Sequence, residues 1–112
     1  MEIEVRSQGS VKVIKLRGKL SLGDAVDRLR ETMADLVDSG DTHIVLDLGD
    51  VPMIDSSGIG LLVKSLTSIK QLGGSIRLAN PSKFAIQTLK MIGLLNLFEI
   101  FEDQQQAVDS FD

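Results

Sequence analysis

The chain has 112 residues, 43% hydrophobic and 25% charged, which suits one compact domain over residues 1–112 and excludes a disordered or collagen-like chain. Twelve Lys and Arg against 16 Asp and Glu leave a net charge of -4, and no basic run is present to neutralise a phosphate backbone, so nucleic acid is not an expected partner. The absence of cysteine excludes a disulfide framework and a thiolate metal site; with no signal-like start and no apolar run of spanning length, the expectation is a cytoplasmic protein without direct membrane insertion.

Ile3 and Val5 alternate with Glu2, Glu4 and Arg6, the period of a half-buried strand, and Gln8-Gly9-Ser10 supplies turn chemistry before a second strand from Val11 to Leu16. From Leu22 to Val37 the period changes: Val26, Leu29, Met33, Leu36 and Val37 fall three and four residues apart, one face of a helix. Ser21 and Asp24 read as a capping-box pair at its start, and Gly40 as its stop. Ile44 to Leu48 is a short apolar run of strand length, read as a buried central strand.

Ile59, Leu62, Val63, Leu66, Ile69 and Leu72 predict a second helix closed by Gly73-Gly74, followed by a strand over Ser75 to Ala79. Strand, helix, strand implies a parallel crossover. Asn80-Pro81 is read as the cap and start of a third helix running to about Ile92, with Gly93 as its stop. Leu97 to Phe101 reads as a final strand, and Asp103 as the cap of a last helix carrying Ala107, Val108 and Phe111. The expected fold is α/β, a mixed and mostly parallel sheet with helices in the order β-β-α-β-α-β-α-β-α.

The search for catalytic chemistry finds few parts. There is one histidine, His43, and no cysteine, tyrosine or tryptophan. A nucleophile elbow needs glycine two residues on either side of its serine, but Ser56 is flanked there by Ile54 and Gly58, and Ser57 by Asp55 and Ile59. His43, beside the buried strand, is read as structural. Gly58-Ile59-Gly60 matches only part of a dinucleotide fingerprint, since Val63 stands in the third glycine's place. The carboxylates, Asp47 and Asp50 among them, lack the spacing of a calcium loop. The expectation is a non-enzyme with no metal and no cofactor.

What remains is the turn Val51-Pro52-Met53-Ile54-Asp55-Ser56-Ser57-Gly58-Ile59-Gly60, where small and polar residues gather at a helix start. With Asp55 as N-cap, its carboxylate accepts from the Ser57 or Gly58 amide, Ile54 staples onto Ile59, and Ser57 lies in the first turn. Capping chemistry alone accounts for much of this segment. Gly58 and Gly60 do not fit it, since each costs about 1 kcal/mol relative to alanine within a helix; a partner that approaches the backbone closely is one explanation.

Asp-Ser-Ser-Gly-Ile-Gly after a buried strand, preceded by Val-Pro-Met-Ile, resembles the phosphorylation-site segment of the bacterial STAS-domain anti-sigma-factor antagonists. The resemblance extends to Leu16-Arg17-Gly18-Lys19-Leu20, to Leu46-Asp47-Leu48 and to Leu97-Phe98-Glu99-Ile100-Phe101, and so covers nearly the whole chain. It implies that Ser57 is phosphorylated by an anti-sigma factor with serine kinase activity. It also implies that the unmodified protein binds that factor and frees a sigma factor, and that a metal-dependent serine phosphatase reverses the change. Ser21, Asp24, Asp55, Ser56, Gly58 and Ile59 are the expected partner-binding residues, with Leu22 and Met53 as rim contacts.

One departure from the family pattern is Ser21, where members commonly carry an aspartate associated with partner binding and phosphorylation; Asp24 is positioned to restore a carboxylate. Two other readings share the segment. A STAS module can serve as a non-sigma scaffold subunit or as the cytoplasmic subunit of a membrane transport complex. A nucleotide-binding module would instead use the second helix's N-terminus to hold phosphate, but no basic side chain lies in that segment to assist it.

Overall fold

A computed structural model describes residues 1–112. Five strands form one sheet in the spatial order β1 (Glu2–Gln8), β2 (Val11–Arg17), β3 (His43–Asp50), β4 (Ser75–Ala79) and β5 (Glu99–Phe101). β1 and β2 form an antiparallel hairpin in which Gln8 pairs with Val11, leaving Gly9-Ser10 as the two-residue turn. Gly9 has φ 60, the left-handed region that such a tight turn demands. The remaining neighbours are parallel. Each parallel step therefore needs a crossover, supplied in turn by α1 (Asp24–Asp38), α2 (Ser56–Gln71) and α3 (Lys83–Met91). The order β-β-α-β-α-β-α-β-α expected from the sequence is observed, with a short 3-10 turn (Leu95–Leu97) before β5 and α4 (Gln104–Asp109) at the end.

The two-residue period of the strands sorts their side chains between two cores. Ile14 and Leu16, Ile44, Leu46 and Leu48, Ile76 and Leu78 point to one face, where they pack with Leu29, Met33, Leu62, Leu66 and Leu89 of the crossover helices. Val11, Val13, Val45 and Ala79 point to the other and are covered by Ala107 and Val108 of α4. Asp47 lies on this second face, only 4% exposed. A buried carboxylate is tolerated when its oxygens are satisfied, and here Asp47 accepts from the Gly49 amide at 2.9 Å and from Gln104 Nε2 at 2.5 Å.

His43 belongs to this second face as well. Its ring stacks on Phe111 with centroids 4.8 Å apart, while the Arg77 guanidinium carbon lies 4.0 Å from the Phe111 centroid. Arg77 also pairs with Glu99 at 2.6 Å and donates to Ser110 Oγ at 2.8 Å. His43 thus helps hold the C-terminal residues against the sheet.

Three expected boundaries are corrected. α1 begins at Asp24, not Leu22, because Gly23 at φ 109 is its N-cap and no side chain caps it; Ser21 and Asp24 do not form a capping box. α3 begins at Lys83 with Ser82 as its cap, the hydroxyl accepting from the Ala85 amide at 3.1 Å. Asn80 cannot take that role, since it stands at φ 50 and its amide donates to the Phe101 carbonyl at 2.9 Å, tying it to β5. β5 starts at Glu99, two residues later than expected, because Leu97 closes the 3-10 turn.

Candidate functional site

The segment singled out by the sequence lies at the C-terminal edge of β3, the edge of a parallel sheet where crossover loops gather. Two of these loops are pinned together. After a register shift between Lys15 and Arg17, the chain leaves β2 and Leu20 forms an isolated parallel bridge to Ile54. The Leu20 amide donates to the Met53 carbonyl at 2.9 Å, and the Asp55 amide donates to the Leu20 carbonyl at 3.1 Å.

Asp55 completes the joint with its side chain. As N-cap of α2 it accepts the Gly58 amide on Oδ1 at 2.9 Å, the role that the capping pattern predicts. Its second oxygen accepts the Leu22 amide at 2.8 Å. One carboxylate therefore caps α2 and anchors the loop between β2 and α1. The Gly58 and then the Leu22 amide, both favouring the ionised form, hold its pKa below the usual carboxylate value of 3.8.

Ser56 and Ser57 are the first two residues of α2. Ser56 is exposed and Ser57 half-buried. Neither hydroxyl makes a hydrogen bond to the rest of the chain, whereas the hydroxyl of Ser82, the cap of α3, donates to the Val51 carbonyl at 2.8 Å. The Ser57 hydroxyl stands at a helix N-terminus, where backbone amides and the helix dipole favour an anion.

Gly58 and Ile59 do not lie on the outer surface. Gly58 is buried, and a Cβ built on it would meet the Leu20 carbonyl oxygen at 2.7 Å and Leu20 Cγ and Ile54 Cγ2 at 2.9 Å. The close approach that excludes a side chain here is internal, from the β2–α1 loop, and not from a partner. Ile59 is 5% exposed and belongs to the larger core. Gly60 is different, with open space around its Cβ position. Asp24 is exposed, Ser21 half-buried, and Leu22 is 79% exposed despite being apolar; Met53 is also exposed. The Asp55 carboxylate thus brings the loop carrying exposed Leu22 against the start of α2, where the Ser56 and Ser57 hydroxyls stand beside exposed Met53 of the β3–α2 loop.

No three His, Cys, Asp or Glu side chains come together in the arrangement that holds a metal ion. No helix is long and apolar enough to cross a membrane. A groove between α2 and α3 opens beside the site, about 480 Å³ in volume, with Ser56, Ile59 and Gly60 at one end and Ile92 and Leu94 on its far wall. No local pattern marks this groove, because its two walls come from helices separated in the chain, Ser56 to Lys64 on one side and Thr88 to Leu94 on the other.

The model of the STAS domain family matches residues 2–107, and the chain belongs to that family. An anti-sigma F factor antagonist of Paenibacillus polymyxa is 26% identical over 113 residues, covering 100% of this chain and 96% of that protein. An anti-sigma-B factor antagonist of Bacillus subtilis is 27% identical over 108 residues, covering 96% of this chain and 97% of that one. The anti-sigma factor antagonist SpoIIAA in its unphosphorylated form superposes with a TM-score of 0.85 at 23% identity, over 98% of this chain and 96% of its own. The phosphorylated form of the Bacillus cell fate determinant SpoIIAA gives 0.79 at 23% identity, over 99% and 100%. At these identities the structural likeness establishes the shared fold.

Proposed function

We propose that this chain is an anti-sigma-factor antagonist acting in the cytoplasm by partner switching and catalysing no reaction of its own. Unmodified, it binds an anti-sigma factor that carries serine kinase activity, and a sigma factor is released. Phosphorylation of Ser57 ends the complex, and a metal-dependent serine phosphatase restores it. The observation that carries this reading is the carboxylate-capped start of α2, with exposed Ser56 and the half-buried, unengaged Ser57 hydroxyl next to a second loop that is pinned there through Leu22. Supporting it, two full-length relatives bear antagonist names, and a protein of the same fold has been solved with and without phosphate.

The switch follows from charge. A phosphoserine carries about -1.5 to -2 at neutral pH. The helix N-terminus returns roughly 0.3 to 1 kcal/mol of that, so α2 tolerates the group. Across an interface, one unit charge facing another of the same sign at about 5 Å costs roughly 3 kcal/mol at an effective dielectric near 20. Against an acidic partner the repulsion exceeds the helix contribution several-fold. Binding is lost while the fold remains.

Ser56, Ser57, Ser21 and Asp24 form the partner-facing side in this reading, with Leu22 and Met53 as its apolar contacts. Asp55, Gly58 and Ile59 support it from beneath. Affinity purification of tagged wild type and Ser57→Asp from the native host tests the proposal. Wild type should retain a kinase-type ATPase, and the aspartate variant should lose it. Retention of membrane proteins by both forms would identify a transport subunit and overturn the proposal.

A further inference from the structure

The charge of this chain is unevenly distributed. From Ser56 to Phe98 the sequence contains Lys64, Lys70, Arg77, Lys83 and Lys90 and not one Asp or Glu, although the whole chain has 16 of these. Arg77 is on the sheet, paired with Glu99. The four lysines are exposed on α2 and α3, and none takes part in a salt bridge. A face with unpaired cations in a chain of net charge -4 is the opposite of a neutral solvated surface.

The same face exposes apolar side chains. Phe84 is 64%, Met91 80% and Ile92 50% exposed, a large uncovered apolar area for one short helix. Phe84, Thr88 and Met91 stand at i, i+4 and i+7, one stripe of α3. Thr88 and Ile92 also line the groove against α2, with Lys64 on that groove's other rim. By the same helical spacing, Lys83 and Lys90 lie beyond the stripe. The pattern is therefore an apolar trough with cations on both sides, and one end opens at Ser56.

We infer that the α2–α3 face is a docking surface for an acidic amphipathic helix of a protein partner, the apolar side of that helix seated in the groove and its carboxylates met by Lys64, Lys83 and Lys90. Charge complementarity selects an acidic occupant, and exposed Phe and Met are the residue types enriched where protein surfaces meet. A helix laid into a groove seats apolar anchors three and four residues apart along one face, which leaves its other positions free for carboxylates. A bilayer would require the apolar residues to project from a convex patch, whereas part of this set lines a concave groove. The inference deepens the partner-switching reading and rests on it for the partner's class, since it supplies the acidic surface that a phosphate on Ser57 would repel.

The test is a titration of isotope-labelled protein with a synthetic helical peptide bearing a leucine stripe and glutamates elsewhere, followed by amide shifts. A second peptide with lysine in place of every glutamate, and vesicles of mixed neutral and anionic phospholipid, are the comparison probes. The expected result is saturable shifts at Lys64, Thr88, Met91 and Ile92 with the glutamate peptide alone. Binding should weaken about tenfold or more from low to high salt and in the Lys64→Glu, Lys90→Glu double variant. Both substitutions are on exposed side chains, and an unchanged amide spectrum verifies the fold. Equal binding of both peptides, shifts confined to other elements, no shifts, or binding to the vesicles without binding to the peptide would each overturn the inference. The readout does not involve Ser57 phosphorylation, so the docking face and the phosphorylation switch can fail independently.

Discussion

The Asp55 carboxylate accepts the Leu22 amide at 2.8 Å, joining two loops 33 residues apart at the point where Ser57 enters its helix. The other oxygen of the same carboxylate holds the Gly58 amide at 2.9 Å. Two segments that would otherwise move separately are thereby fixed as one surface.

Replacing Asp55 should therefore have two effects. Asp55→Ala removes an N-cap, a loss that ordinarily lowers the melting temperature of a domain of this size by about 4–8 °C. It also frees the Leu22 loop, so amide exchange at Leu22 and Gly23 should accelerate in the variant. Asp55→Asn keeps a capping oxygen and should lie between the two.

The stability that Asp55 adds depends on pH with a definite sign. Its folded pKa is held below the ordinary 3.8 by the Gly58 and Leu22 amides. The contribution is therefore complete above the unfolded value, near 4, and is lost as pH falls through the lower folded value. Urea midpoints of wild type and Asp55→Asn should differ by a constant amount above about pH 5 and converge as the solution is acidified below pH 4.

Gly58 and Gly60 should respond oppositely to alanine. At Gly60 the new methyl enters open space on a helix, so Gly60→Ala should stabilise by about 0.5–1 kcal/mol. At Gly58 it would stand 2.7 Å from the Leu20 carbonyl, a backbone atom held by the Asp55 amide, and Gly58→Ala should destabilise by about 1–3 kcal/mol. Denaturant unfolding of the pair checks both signs at once.

The C-terminal attachment offers a separate check. Phe111 is half-buried between His43 and Arg77, and Phe111→Ala should cost roughly 1–2 kcal/mol through the lost stack and cation–π contact. Amide exchange in α4 should rise more than in α2, because Phe111 packs against the second core alone.

Local chemistry was legible in the sequence, and long-range contact was not. The cap at Asp55 was readable because cap and donor are three residues apart, and the strands because their period is intrinsic to the pleat. Ser21 has the side chain of a cap, but Gly23, at φ 109, is the N-cap and ends the loop with backbone geometry that no side-chain pattern reports. Asn80-Pro81 and Ser82 are all plausible helix starts in isolation, and only the bond from Asn80 to Phe101 in β5 decides between them. Gly58 marked a close approach correctly but not its source, the Leu20 carbonyl 38 residues back. The groove beside Ser56 depends on how α2 and α3 pack, and the lysines around it become a face only once both helices are placed.

The most direct test of the switch is the intact mass of the protein purified from its native host under resting and stressed growth, with fragmentation to place any added phosphate and a Ser57→Ala sample in parallel. Partner switching predicts one phosphate on Ser57, changing in amount between the two conditions and absent from the alanine variant. An unmodified chain under both conditions, or phosphate persisting in the variant at another residue, would contradict it.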